Sequence, residues 1–100
     1  MMQKQRRLPT NRPPSHPGEI LHEMFLSPLN ITQGQLAKHL GYSRPGINAL
    51  INGNRALTPE MACKLADAFN TSVELWLGLQ SDYDLWHAKK AHKKLPSLTA

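Results

Sequence analysis

The sequence is short of cysteine and of long apolar runs. Cys63 is the single cysteine in 100 residues, so no disulfide can form within the chain, which is typical of a reducing compartment. No stretch approaches the ~20 consecutive apolar residues of a membrane-spanning helix. The first 16 residues carry basic side chains but no apolar core, unlike a secretory signal. These absences predict a cytoplasmic protein without a membrane partner.

The residue patterns of catalytic and metal sites are missing as well. The five histidines do not show metal-ligand spacing, and no glycine-rich loop of the phosphate-binding type occurs. Cys63 has no marked basic neighbour to activate it and should be an inert buried thiol on the inward side of a helix. The sequence therefore predicts a protein that is not an enzyme and needs no cofactor and no metal.

Acidic residues are missing from the middle of the chain. Residues 31–58 contain Lys38, Arg44 and Arg55 but no Asp or Glu, although the chain as a whole carries seven acids and a net charge of +5. Both ends of the chain are also basic and free of acid. Such a distribution favours a surface that faces a polyanion. For the two ends, a merely solvated basic tail explains the composition equally well.

Periodic apolar positions predict one all-α domain between two polar ends. Residues 1–15 are rich in proline and lack a period, so we expect a disordered basic arm, and residues 95–100 should form a flexible tail. The domain between them, residues 16–94, has no strand-like alternation. Five helices are predicted. Pro28 should end the first at or before Ser27, and the fifth should be long or broken, extending toward residue 94.

Two short helices joined by a tight turn form a helix-turn-helix pattern over residues 32–52. Thr32 and Gln35 form a capping box at the start of the first helix, and Gly41 ends it. Ser43 caps the second helix. In such a pair the second helix lies in the DNA major groove, with its N-terminal residues at the base edges.

Pro45 and Gly46, the two poorest helix formers, stand together in the first turn of that second helix. Proline costs little there, because first-turn N–H groups are unpaired anyway. A glycine without a side chain would let the helix approach DNA closely. The alternative is that Pro45 only shapes the turn and that Gly46 packs against a neighbouring helix.

The segment TQGQLAKHLGYSRPGINALINGNRALTPEMACKLADAFNTSVELWL resembles the lambda-repressor-like, Xre-type helix-turn-helix family, and the match covers about residues 17–80. The HPGEILHEMFL start and the WLGLQSDYDLWHA ending are similar to antitoxins of the HigA/VapI type, which are partners of small RelE-like RNase toxins. The resemblance implies a homodimer that binds a palindromic operator in double-stranded DNA. It also implies that the protein represses its own operon and neutralises the toxin.

We expect nine residues to contact DNA. Arg44 is placed to read guanine and Asn48 to read adenine, and Pro45 is placed to touch a thymine methyl. The alternative for Arg44 and Asn48 is a solvated polar side chain. Contacts with the DNA backbone, which position the protein without specifying sequence, are expected from Gln33, Tyr42, Ser43, Asn52, Asn54 and Arg55.

A capping box of Thr71 and Glu74 should begin the last predicted helix. That helix carries an apolar stripe made of Trp76, Leu79, Tyr83 and Trp86. The stripe is either intrachain core or a dimer interface. We predict the interface, because an operator with two half-sites needs two recognition helices on one rigid body.

Two other functions remain open at this point. One is a stand-alone Xre-type transcriptional regulator without a toxin partner. The other is a pure protein-interaction module, which salt-dependent DNA binding would exclude.

Overall fold

The computed structural model describes residues 13–99, so the predicted basic arm lies almost wholly outside the described residues. Within the described range the chain forms five helices and no strand, which confirms the predicted all-α class. The first helix, α1, is built from three consecutive segments, of which the middle one is π-helical. The helices are α1 (Pro17–Ile20, Leu21–Leu26 and Ser27–Leu29), α2 (Gln33–Leu40), α3 (Arg44–Ile51), α4 (Pro59–Phe69) and α5 (Val73–Ala91).

The caps and the glycine stop that were predicted for the two short helices are present in the structure. The Thr32 hydroxyl accepts from the Gln35 N–H at 3.0 Å, and the Gln35 side chain accepts from the Thr32 N–H at 2.8 Å, so the capping box is complete. Gly41 ends α2 in the left-handed conformation at φ 81°. Ser43 then caps α3 by accepting from the N–H of Gly46 at 3.1 Å. These three signals each act within a few residues, which is why the sequence reveals them.

The prediction that Pro28 ends the first helix is wrong. The backbone stays helical to Leu29, and Ser27 keeps right-handed helical dihedrals (φ −64°, ψ −51°) although a proline follows it. The preceding turn is π-helical, and in it the Ser27 N–H donates to the carbonyl of His22. This wider turn moves the carbonyls before Pro28 away from its ring. Asn30, left-handed at φ 57°, ends α1 instead.

The start of α5 differs from the predicted capping box of Thr71 and Glu74. Ser72 is the N-cap, and its hydroxyl accepts from the N–H of Leu75 at 3.0 Å. The Thr71 hydroxyl accepts from the indole N–H of Trp76 at 2.7 Å. A tertiary demand, the burial of an indole N–H, therefore takes the hydroxyl that local sequence assigned to the helix end.

α5 is one unbroken helix, so the long alternative is confirmed. It ends at Ala91 rather than near Lys94, and the described residues after it form no helix. It packs on α4 and α1. Nearly all side chains from Ser81 onward are exposed.

The core joins all five helices and fixes the position of α3. Ile47 and Leu50 on α3 have no exposed surface. Gly18 on α1 lies against the backbone of α3, and a Cβ at this position would overlap the carbonyl of Leu50. α3 is thus held from behind by side chains and by a direct backbone approach. Cys63, in contrast, is exposed on α4, so the prediction of a buried thiol is wrong.

Candidate nucleic-acid interface

The outward face of α3 presents the three residues predicted to read bases. Arg44, Pro45 and Asn48 are all exposed. Because Ile47 and Leu50 anchor the opposite face in the core, the first turn of α3 projects from the domain without covering side chains. This geometry is what entry of a helix into the major groove requires.

Gly46 is half-buried, and the space beside it is occupied by two side chains. A Cβ built at Gly46 would lie 3.1 Å from the Ser43 hydroxyl and 3.2 Å from Nη1 of Arg55. The missing side chain therefore makes room for the Arg55 guanidinium above the first turn of α3. Arg55 and Arg44 thus concentrate positive charge at the start of the recognition helix. The sequence alone did not indicate this role for Gly46.

A chain of three side-chain amides runs along the interface. The amide nitrogen of Asn48 donates to the Gln33 side-chain oxygen at 3.1 Å, and the amide nitrogen of Asn52 donates to the Asn48 side-chain oxygen at 3.1 Å. Asn48 is therefore held from both sides. It retains one free N–H and one free lone pair, which is the donor and acceptor pair that adenine recognition uses.

Residues 52–57, which we call the clamp segment, follow the recognition helix. Gly53 turns the chain at φ 75°, and its N–H donates to the Leu50 carbonyl at 3.0 Å. The Asn54 N–H donates to the Ala49 carbonyl at 2.8 Å. These bonds hold the segment against the end of α3 and leave the side chains of Asn54 and Arg55 exposed, as backbone contacts require.

Tyr42 does not fit its predicted contact with the DNA backbone. Its hydroxyl is buried and has no hydrogen-bond partner among the described residues. Its ring lies under the ammonium group of Lys64, 4.5 Å from the ring centroid, and packs against the core. The turn between α2 and α3 faces α4 at this point, so Tyr42 supports the helix pair instead of facing solvent.

The packing of α5 buries one residue of the predicted dimer stripe and leaves the other three half-buried. Trp76 has no exposed surface and packs on Phe25 at 5.3 Å between ring centroids, so it belongs to the intrachain core and its assignment to an interface is wrong. Tyr83 meets the ring of His16 edge-on at 4.9 Å and faces the domain too. Leu79 and Trp86 are half-buried on the flank of the helix.

An exposed leucine extends that flank. Leu75 is 40% exposed, and its spacing from Leu79 and Trp86 places it on the same side of α5. The three side chains form an apolar surface that the described part of the chain leaves partly uncovered. We call these three residues the α5 flank.

His16, which sequence analysis did not single out, connects α1 with the clamp segment. Its Nδ1 accepts from the Gly18 N–H at 2.9 Å and caps α1, and its ring would lie 3.7 Å from a Cβ at Gly53. Burial lowers the pKa of this imidazole, and a hydrogen bond to the backbone of Arg55 and the carboxylates of Asp84 and Glu19 partly oppose the shift. Its position directly before Pro17 was the available sequence signal.

We expect the free energy of unfolding to fall as the pH drops below about 6.5, the ordinary pKa of histidine. Because the pKa of His16 is lowered in the folded state, its contribution is complete above that pH and is lost as the pH falls through the folded-state value. His16→Asn keeps a capping acceptor but does not titrate. Urea unfolding at pH 7.5 and pH 5 should therefore show a smaller loss in the variant, and equal losses would contradict the assignment.

The described residues show no feature of a metal site or a membrane span. No three side chains among His, Cys, Asp and Glu in residues 13–99 are grouped so as to hold a metal ion. None of the helices in this range is both long and apolar enough to cross a bilayer.

Comparison with known proteins agrees with this geometry. A helix-turn-helix family model (HTH_3) matches residues 21–76. The uncharacterized HTH-type transcriptional regulator YbaQ of Escherichia coli K12 is 46% identical over 78 residues, covering 78% of this chain and 69% of the relative. Antitoxin HigA-1 of Vibrio cholerae is 39% identical over 85 residues, covering 85% and 80%. The structure of Pseudomonas aeruginosa antitoxin HigA with the higBA promoter matches with a TM-score of 0.75 at 36% identity, covering 85% of this chain and 99% of that one.

The fold and the exposed first turn of α3 define a helix-turn-helix protein with a lambda-repressor-like arrangement of five helices. More specifically, the chain belongs to the Xre-type helix-turn-helix family, and its relatives include the HigA antitoxins.

Proposed function

We propose that this protein is a sequence-specific DNA-binding antitoxin of a type II toxin–antitoxin module. It represses its own operon by binding a palindromic operator, and it neutralises a RelE-like, HigB-type RNase toxin. It acts in the cytoplasm, as a protein that binds an operator must in bacteria.

One observation carries the DNA-binding part of the proposal. The residues that form the exposed surface of the first turn of α3, the amide chain and the clamp segment include no acid, and two of them are arginines that lie at the start of the recognition helix. An exposed, positively charged helix start flanked by amide donors suits the negatively charged groove of DNA better than it suits a small ligand or a protein groove. The HigA structure solved with its promoter supports this assignment.

We propose that the α5 flank joins two copies of the chain. A two-half-site operator needs two recognition helices at a fixed separation of about one helical turn of DNA. The flank is apolar and includes a tryptophan, as the centres of interfaces often do. It also lies on a helix that is separate from the exposed face of α3, so pairing leaves the DNA-binding surface free.

We expect Arg44→Ala to weaken binding to the cognate operator by about 1–3 kcal/mol and to relax base preference at one position in each half-site. The reason is that Arg44 is exposed in the first turn of α3. Binding to operators with single substitutions would measure the preference. Lys38→Ala, which removes a cation of the same acid-free stretch, serves as control. An equal loss for Arg44→Ala on cognate and random DNA would show a phosphate contact instead.

The proposed function has a direct test in two parts. The full chain is titrated against the DNA upstream of its own gene at several salt concentrations, where sequence-specific binding should weaken linearly in a double-logarithmic plot. The product of the neighbouring reading frame is then expressed with and without this protein. Growth arrest by that product alone, relieved by co-expression, supports the antitoxin, whereas absence of DNA binding would remove the basis of the proposal.

A stand-alone transcriptional regulator is the second candidate. The E. coli relative with 46% identity is described as a transcriptional regulator rather than as an antitoxin. The two candidates share the DNA-binding surface and differ in the partner. A neighbouring frame for a small basic RelE-like protein favours the antitoxin, and its absence, with DNA binding retained, favours the regulator.

A further inference from the structure

A buried amide ties the clamp segment to α5. Gln80 lies among the core residues with 8% of its surface exposed. Its side-chain oxygen accepts from the Leu57 N–H at 2.7 Å, and its nitrogen donates to the Asp84 carboxylate at 2.9 Å. A buried amide costs free energy unless it is hydrogen-bonded, and this one has a partner for its oxygen and one for its nitrogen.

The bond to Leu57 fixes the main chain two residues beyond Arg55. The Leu57 side chain is itself buried, so the end of the clamp segment is held by its side chain and by its N–H. On the other side of the segment, the ring of His16 packs near Gly53. The Arg55 backbone is thus held between α1 and α5, and this placement keeps its guanidinium over Gly46.

We propose that Gln80 is a positioning residue for DNA binding. By holding the Leu57 N–H, it keeps Arg55 placed for a phosphate contact. It also joins the clamp segment to the helix that carries the α5 flank. This inference rests on the proposed function, because it concerns the same DNA surface. It adds a physical connection between α5, which carries the α5 flank, and the residues proposed to contact DNA. Pairing of two α5 helices then fixes the clamp segments as well as the recognition helices.

The first test is Gln80→Met, which keeps length and helix propensity but removes the acceptor. Two probes are used: a duplex selected from a random pool by the native protein, and a scrambled duplex of equal composition. We expect roughly tenfold weaker binding to both, the effect of removing one charge-assisted hydrogen bond. The salt slope should also become shallower by about 1, the change expected when the protein neutralises one phosphate fewer.

Thr71→Val is the matched control. It also leaves a buried N–H group, that of Trp76, without its acceptor, but the lost bond joins two residues at the start of α5 and involves no residue of the clamp segment. Both variants should unfold at a lower urea concentration than the native protein. Only Gln80→Met should change DNA affinity and salt slope when the two are compared under conditions in which both are folded.

If Gln80→Met does not fold, exchanging the side chains of Gln80 and Asp84 tests the same inference. Gln80→Glu alone places two carboxylates together, and their repulsion should move the side chain at position 80 away from the Leu57 N–H, so this variant should bind DNA poorly. Adding Asp84→Asn restores a donor opposite the new carboxylate at position 80 while the Leu57 N–H keeps its acceptor, so binding should recover toward the native level.

Three results would overturn the inference. The first is a folded Gln80→Met variant whose DNA affinity and salt slope equal those of the native protein. If the native protein itself binds DNA, this result leaves the proposed function standing. The second is equal binding by Gln80→Glu and the double variant. The third is a native protein that selects no duplex from the random pool, in which case the proposed function fails together with the inference.

Discussion

A double variant, Leu75→Glu with Trp86→Ala, should be a folded, helical monomer that binds an operator with two half-sites at least 100-fold more weakly than the native protein. Leu75 is exposed and Trp86 is half-buried on the α5 flank, so neither change opens the core that Trp76 fills. The large effect follows from avidity, since a linked second recognition helix raises affinity by about 10²–10⁴ without any new contact. Sedimentation gives the oligomeric state, and circular dichroism gives the helix content.

Two comparisons complete this experiment. Binding to an isolated half-site should be nearly the same in the native and variant proteins, because α3 is unchanged. Leu95→Glu, an exposed leucine beyond α5, should leave the dimer intact. A double variant that still sediments as a dimer would place the interface elsewhere, and one that unfolds would assign the α5 flank to the intrachain core.

Gly46→Leu should weaken operator binding by at least 100-fold, while the midpoint of thermal unfolding stays equal or rises. Leucine is the better helix former by roughly 1 kcal/mol, and Gly46 is only half-buried. The added side chain enters the space of the Arg55 guanidinium and projects toward the base edges. Calorimetry and DNA titration on the same preparation separate the two effects.

Gly46→Ala gives a graded comparison. Its Cβ would be tight only against the Ser43 hydroxyl and the Arg55 guanidinium, and the arginine is a flexible side chain that can move away. We expect Gly46→Ala to resemble Arg55→Ala in affinity and salt slope. If Gly46→Leu melts early and its folded fraction binds DNA normally, then Gly46 is a packing glycine with no part in recognition.

Much of this fold follows from signals that act over a few residues. The capping box of Thr32 and Gln35, the serine cap at Ser43 and the left-handed stop at Gly41 each involve neighbours within one helical turn. The apolar positions of α4 recur with a helical period and form its buried face, with Met61 at 1% exposure. These features allowed the helix-turn-helix to be located, and with it the exposed positions of α3.

The errors arise where a contact or a backbone turn that the local rules do not include overrides the local signal. Thr71 is a good local cap, but the buried indole of Trp76 takes its hydroxyl. Pro28 is a local stop, but the π-helical turn before it accommodates the ring. Tyr42 lies in the turn of the motif, but Lys64, on α4, covers its ring.

The sequence by itself determined the all-α class, the helix-turn-helix, the acid-free face and the resemblance to HigA-type antitoxins. Only the tertiary structure decided which flank of α5 stays uncovered, why residue 46 is a glycine, and which partner the amide of Gln80 finds. The physical reason is the distance along the chain over which each kind of interaction acts. Caps and periodicity depend on residues within one or two turns, whereas Gln80 meets Leu57 and Arg55 covers Gly46 only once the helices have packed.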